Sequence, residues 1–326
     1  VWLARYSKLV VLATFALIFI GGHTTTSGAG MAFPDWPLSH GSLNPDGWWT
    51  NLMMRLEHGH RLTAILVAEL VAVLFIWVAR VRRSVPNAAF WLALWALVGV
   101  LAQAVLGGLR VVLDPQGIAA SSAEIATTFR VLHGCFAQVE LCLVVALAAV
   151  LSPHWSQITA PAGAGKIARL GWITAGVVFL QLIVGATMRH LGAGLAIPTF
   201  PLTPDRGFMP KVHNAFVDLN FTHTRVGAFV VLIFVAWLTT RVRRLAAGEP
   251  RLIRPALLLD GLLVAQLGLG MLVIWNLRPP ILTTLHVVNG AAILATIVLL
   301  SVRASRKPAA VAAASIPRQE LVEVAA

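Results

Sequence analysis

The feature that most limits how this chain can fold is a succession of eight apolar runs, at about residues 8–23, 53–79, 88–112, 126–151, 168–190, 214–240, 254–276 and 281–302. Each is near the ~20 residues an α-helix needs to cross the hydrocarbon core of a bilayer. No water reaches that core to satisfy backbone N–H and C=O groups, so the runs read as helices that satisfy their own. With 58% hydrophobic residues, 12% charged residues and a mean hydropathy of +0.81, a soluble domain is excluded. The expected fold class is an all-α integral membrane protein. The first run reads as a span rather than a cleaved signal peptide, because no Ala-x-Ala-like exit follows it and Gly21-Gly22-His23 leads into a structured loop.

Charge then orients the spans. The net charge of +12 is no signature of nucleic-acid binding, because the basic residues cluster in short loops beside the apolar runs. Arg5 and Lys8, then Arg80, Arg82 and Arg83, then Lys166 and Arg169 fall on one side if the helices alternate. Arg241, Arg243, Arg244, Arg251 and Arg254 join them, as do Arg303, Arg306 and Lys307. That side is expected to be cytoplasmic, with both termini inside. The opposite loops carry Asp35, Asp46, Asp114, Glu124 and Asp205. Residues 308–326 are expected to form a mobile cytoplasmic tail. Cys135 and Cys142 lie at i and i+7 on one helix face, so reduced thiols are expected.

An internal repeat organises the whole. The stretch from Gly28 through Asp35-Trp36-Pro37 to Leu38 matches that from Gly192 through Thr199-Phe200-Pro201 to Leu202 at an offset of 164. Arg61 and Arg225 keep that offset, whereas His60 and His223, and Gln103 and Gln266, differ by 163. The chain therefore reads as two four-helix bundles, residues 1–155 and 165–307. Because each half has an even number of spans, both insert the same way up, a parallel repeat about a pseudo-twofold axis along the membrane normal.

Each half offers two histidines: His60 and His133 in the first, His223 and His286 in the second. All lie about 5–10 residues from the outer ends of their spans, roughly 7–15 Å deep. Paired neutral imidazoles on facing helices suit axial ligation of a haem iron. Gly59, Gly107, Gly108, Gly134, Gly227, Gly270 and Gly290 would let a flat macrocycle approach the backbone. A lone intramembrane histidine reads as a packing residue, but four at matched depth in a duplicated pattern favour a cofactor.

The other polar residues have plainer readings. His58 is rotated about 200° from His60 and is expected to face headgroups or a neighbouring helix. His23, His40, His190 and His213 fall at or beyond the outer interface, and His154 at the inner one, where solvation suffices. Arg61 and Arg225 either snorkel outward or pair with haem propionates. Gln103, Gln181 and Gln266, each four residues before a glycine, fit interhelical hydrogen bonding. Glu69 and Glu140, in mid-span, are expected between helices, and the eleven tryptophans mainly in an interfacial belt.

Glu57 breaks the symmetry. It shares a helix face with His60, and its counterpart one turn before His223 is Asn220. A carboxylate at one site and an amide at the other suggest chemistry in the first half and a fixed cofactor in the second. Capping or salt bridging near the helix start is the structural alternative.

These residues carry a resemblance. Gly21-Gly22-x-Thr24-x-Thr26-Ser27-Gly28-x-Gly30, Asp35-Trp36-Pro37-Leu38-x-His40-Gly41 and Glu57-x-x-His60-Arg61, with histidines on spans four, six and eight, resemble the haem A synthase family over nearly the whole chain. The resemblance implies oxidation of the C8 methyl of haem O to the formyl group of haem A, for cytochrome oxidase. It implies a haem b on His223 and His286, a substrate pocket holding His60 and His133, and a catalytic Glu57. Two features depart from it. Ser39 stands where some members have one of a cysteine pair in the first outer loop, so a thiol step is not available, and Thr224 separates His223 from Arg225.

On this reading haem O enters from the lipid, Glu57 handles protons during successive hydroxylation, and haem b relays electrons. Expected partners are haem O synthase, cytochrome oxidase subunit I or assembly factors, an electron-transfer protein and a second copy of the chain, in the bacterial cytoplasmic membrane with the haem sites near its outer face. The alternative is a dihaem cytochrome b-like electron-transfer protein without substrate chemistry. A duplicated transporter would leave the four histidines without a reason.

Overall fold

Eight long helices, each long and apolar enough to cross a membrane, form the protein in a computed structural model that describes residues 1–113, 120–155, 161 and 163–306. They are α1 (Trp2–Thr26), α2 (Leu52–Arg80), α3 (Asn87–Val112), α4 (Ala120–Val150), α5 (Ala164–His190), α6 (Ala215–Leu245), α7 (Pro250–Trp275) and α8 (Pro280–Ala304). No strand occurs among the described residues. The helices outrun the apolar runs that announce them: α1 begins at Trp2 rather than residue 8, and α6 continues to Leu245 rather than residue 240. The added turns carry Arg5, Arg243 and Arg244, whose stems can stay helical while their heads reach water. Asp114, Lys307 and the tail 308–326 lie outside the described residues.

Local sequence sets the ends. The Asn51 side chain accepts from the N–H groups of Met53 and Met54 to start α2. Asn214, 163 residues on, accepts in the same way from Phe216 and Val217 to start α6. Glu249 accepts from Arg251 N–H ahead of Pro250, and Pro280 opens α8, where a missing N–H costs nothing.

One irregularity is informative. Within α6 the residues Thr222–Gly227 form a π-turn, with ordinary α-helix on both sides. A π-turn absorbs one extra residue without disturbing the helix beyond it. The extra residue is Thr224, which has no counterpart between His60 and Arg61.

The helices pack as two rings. α1 lies against α2, α2 against α3, α3 against α4, and α4 against α1; the same closure joins α5 to α8. Between the rings α1 and α4 meet α8, and α4 meets α5. Each ring has its own apolar core, Val67, Leu74, Ala93 and Leu141 in the first, Ile167, Leu238, Leu259 and Ile297 in the second. Ala291 and Ala295 of α8 belong to the first core, so α8 is the helix the rings share most closely.

Two long loops, 27–51 and 191–214, fold over one end of the bundle, here the loop end. Gly28 and Gly192 both take a left-handed φ, 71° and 76°, open only to glycine without strain. The peptide bonds Trp36–Pro37 and Phe200–Pro201 are both cis.

Candidate functional site

The four histidines come together in two pairs below the long loops. His60 of α2 faces His133 of α4 with ring centroids 6.5 Å apart and planes at 85°. His223 of α6 faces His286 of α8 at 6.4 Å and 74°. In all four the Nδ1 atom is buried with no hydrogen-bond partner among the described residues. An orphaned ring nitrogen in a buried site is costly unless something accepts it.

A glycine on the neighbouring helix seats each ring. A Cβ at Gly21 of α1 would stand 2.7 Å from His60 Cε1, and one at Gly107 of α3 would stand 3.0 Å from His133 Cε1. In the second half Gly185 of α5 and Gly270 of α7 give 2.5 and 3.3 Å to His223 and His286. A side chain at Gly21 or Gly185 would displace its ring, and one at Gly107 or Gly270 would crowd it. Only Gly107 and Gly270 of the seven glycines expected near the site do this. Gly108 makes room for Trp36, Gly227 for Gln181 and Gly290 for Leu182, while Gly59 and Gly134 meet nothing within 4 Å. In the sequence Gly21 stood out only in the Gly21-Gly22-x-Thr24 motif, and Gly185 only as the glycine four residues after Gln181.

Three glutamines fix the histidine helices. Gln103 Nε2 donates to the His133 carbonyl at 3.0 Å, and Gln181 Nε2 to the His223 carbonyl at 2.8 Å. Gln266 lies 3.2 Å from His286 Nε2 and also accepts from Asn289.

Glu57 and Arg61 brace the first long loop. The Glu57 carboxylate, 4% exposed, accepts from Phe33 N–H at 3.0 Å and from the Arg61 guanidinium at 2.7 Å. Arg61 also donates to the carbonyls of Phe33, Asp35 and Leu38. Arg225 does the same work for the second loop, donating to the carbonyls of Thr199 and Leu202, which correspond to Asp35 and Leu38 at the offset of 164. The π-turn makes this possible, because it brings Arg225 to the place of Arg61 despite the added Thr224. Both guanidiniums thus reach loop carbonyls, while Arg225 also donates to Thr224 Oγ1 and keeps a buried Nε without a hydrogen-bond partner among the described residues. In place of Glu57, the buried Asn220 donates to the Ala193 carbonyl at 2.9 Å.

Several expectations need correcting. His58 faces neither headgroups nor a helix; it is buried under the first loop, bonded to Ser39 Oγ at 3.1 Å, with its ring tilted by 59° against that of Trp48. His190 is not simply solvated, since it lines a cavity with arginines. Glu69 is exposed on the surface of α2 rather than held between helices. Glu140 is interhelical, pressed against Gly99 of α3, and neither carboxylate oxygen has a hydrogen-bond partner among the described residues. Cys135 and Cys142 are free thiols.

The residues fit a haem. No cluster of three or more His, Cys, Asp or Glu side chains could hold a metal ion among the described residues, so a protein-only metal cage is not offered there. Two imidazoles about 2.0 Å from one iron place their centroids about 6.3 Å apart, close to both observed separations.

Comparison with known proteins gives the same direction. The family model described as cytochrome oxidase assembly protein, COX15-CtaA, matches residues 50–298. A Symbiobacterium thermophilum protein named heme A synthase is 32% identical over 81% of this chain and 84% of its own length. Proteins of the same name from Geobacillus thermodenitrificans and Bradyrhizobium sp. are 27% and 26% identical over 97% and 98% of this chain and 95% and 94% of their own lengths.

Proposed function

The chain belongs to the COX15-CtaA family of cytochrome oxidase assembly proteins, and from that membership we propose that it is a haem A synthase, an integral membrane oxidoreductase that converts the C8 methyl of haem O to a formyl group. The single observation that carries the reading is the pair of histidine couples, each about 6.5 Å apart and each seated on glycines of adjacent helices. Full-length similarity to proteins named heme A synthase supports the substrate.

His223 and His286 would hold a haem b, which when bound supplies one-electron transfer to the substrate half. His60 and His133 bind and orient haem O. Glu57 is the proton-handling residue, one turn from His60 on α2. Its two oxygens accept from Phe33 and Arg61, so proton exchange at Glu57 is coupled to the position of the first loop. Asn220 takes no proton, and the second half lacks that coupling. The exchange also argues against a dihaem carrier with two equal sites.

The two rings, 1–155 and 165–307, form a parallel pseudo-twofold repeat with both termini cytoplasmic and the loop end outside, following the basic residues. Haem O synthase and cytochrome oxidase subunit I or its assembly factors are the partners that deliver and receive the haems. Identifying by chromatography the haems extracted from protein made in cells that also make haem O tests the assignment. Haem b together with haem O or haem A is expected; haem b alone in both sites would overturn it.

A further inference from the structure

At the loop end, where the two rings meet, four guanidinium side chains converge on a cavity of about 240 Å3. Arg110 comes from α3, Arg130 from α4, Arg189 from the end of α5 and Arg278 from the turn before α8, and none of the described residues lining the cavity is acidic. The volume is too small for a porphyrin but suffices for two carboxylates and a few waters of about 30 Å3 each.

The convergence is built into the backbone. Arg110 rests on Gly30, where any Cβ would overlap its guanidinium. At Gly194, the same residue of the repeated loop motif, a Cβ would stand 3.1 Å from Arg278 Cδ. Each loop glycine thus admits one arginine, although the two arginines occupy unrelated sequence positions. Leu277 and Arg278 both take left-handed φ values, 57° and 63°, which non-glycine residues adopt only when the surroundings impose them. Arg110 and Arg189 are further fixed by donating to the carbonyls of Gly30 and Gly22, at 2.7 and 3.0 Å. Guanidiniums gathered this way suit an oxyanion that takes several charge-assisted hydrogen bonds at once.

Arg110 follows Gly107, the seat of His133, by one turn of α3, Arg130 precedes His133 by one turn of α4, and six of the nine residues lining the cavity come from the first ring. The cavity therefore belongs with the first histidine pair.

We propose that Arg110, Arg130, Arg189 and Arg278 form an oxyanion clamp for the propionate carboxylates of the haem held by His60 and His133, with Arg189 and Arg278 reaching in from the other ring. The inference rests on the haem reading above. Two axial imidazoles leave a macrocycle free to turn about the iron–nitrogen axis, and its methyl groups are chemically alike. The propionates are its only anionic substituents. Clamping them fixes the rotation and so decides which methyl is presented for oxidation.

The test compares haem O with its propionate dimethyl ester, titrated into purified protein that retains haem b, with binding read from the absorbance change of the added haem. Wild type is expected to bind the ester about 10- to 100-fold more weakly. Arg189→Gln/Arg278→Gln, checked for folding by its retained haem b, is expected to bind haem O more weakly and to lose most of that preference. Equal binding of haem O and its ester by the wild type overturns the clamp alone. If the wild type takes up no haem O, the substrate reading fails and the clamp with it. An anionic phospholipid that copurifies with the wild type, is lost from the double variant and leaves the haem-to-ester ratio unchanged would give the cavity to a lipid phosphate and overturn the proposal.

Discussion

Asn220 stands where the first half has Glu57, and the exchange alters what the same helix position can do. Both side chains tie a histidine helix to the long loop above it, Glu57 through Phe33 N–H and Asn220 through the Ala193 carbonyl. The amide is a permanent connection. The carboxylate is one that a proton can open, and it also holds Arg61, which in turn holds the first loop by three carbonyls. Around this difference the halves are close copies, in cis-proline loops, glycine seats and histidine separations. The two rings share this frame and differ in the side chain that ties the histidine helix to its loop.

The largest effects should come from the histidines. His223→Ala or His286→Ala is expected to purify without the visible absorbance of haem b, whereas His60→Ala or His133→Ala should keep it while haem A disappears from the extract. Loss of haem b from all four variants alike would make the halves equivalent and end the division of labour.

Glu57 comes next. Glu57→Ala removes one partner of a buried ion pair, which costs about 3–5 kcal/mol in such settings, and it should loosen the first loop as well as stop haem A formation. Glu57→Gln keeps an acceptor for Phe33 N–H and isolates the proton chemistry. It should retain haem b with a thermal midpoint near wild type, and its rate of haem A formation should fall about 100-fold. Full activity in the glutamine variant would leave Glu57 a loop brace and nothing more.

Much of this was readable from the chain because the membrane removes choices. Apolar length located every span, and the 163-residue offset matched His60 with His223, while His133 and His286, 153 residues apart, matched by their places on spans four and eight. Loop geometry was not readable. His58 sits opposite His60 on its helix, which predicts a turn away from the site, but only the fold of 27–51 shows that it turns under a loop rather than toward lipid. The arginine cavity was invisible for a related reason: Arg110 and Arg278 do not match in the repeat, and only the glycines that admit them do. Thr224 looked like an interruption of the His-Arg motif, because sequence spacing assumes an α-helix where the chain makes a π-turn.

Thr224 offers a milder way to probe the likeness of the halves. Deleting it should turn the π-turn into regular α-helix, set Arg225 four residues after Asn220 as Arg61 follows Glu57, and leave the flanking turns in register. Haem b should stay bound, with thermal stability followed by its absorbance changing by about 1 kcal/mol or less. A large loss of haem b would mean that the π-turn itself aims His223.

The smallest effect concerns the loops. Desolvation pushes the Asp35 carboxyl up, but the N–H groups of Gly41 and His40 and the nearby Arg61 charge outweigh it and hold it below the usual carboxylate range. A depressed carboxyl stabilises the fold above its unfolded pKa, near 3.9, and that help is lost as pH falls through the lower folded value. Asp205 in the second loop is also held low, by the Thr203 hydroxyl and by Lys211, yet it anchors no backbone N–H outside its own residue. Acid should therefore release the backbone of the first loop more than that of the second. Hydrogen exchange at the amides of His40 and Gly41 should lose protection below about pH 4, and Asp35→Asn should show reduced protection already at neutral pH. Equal acid sensitivity of both loops would return the difference between the halves to Glu57 and Asn220 alone.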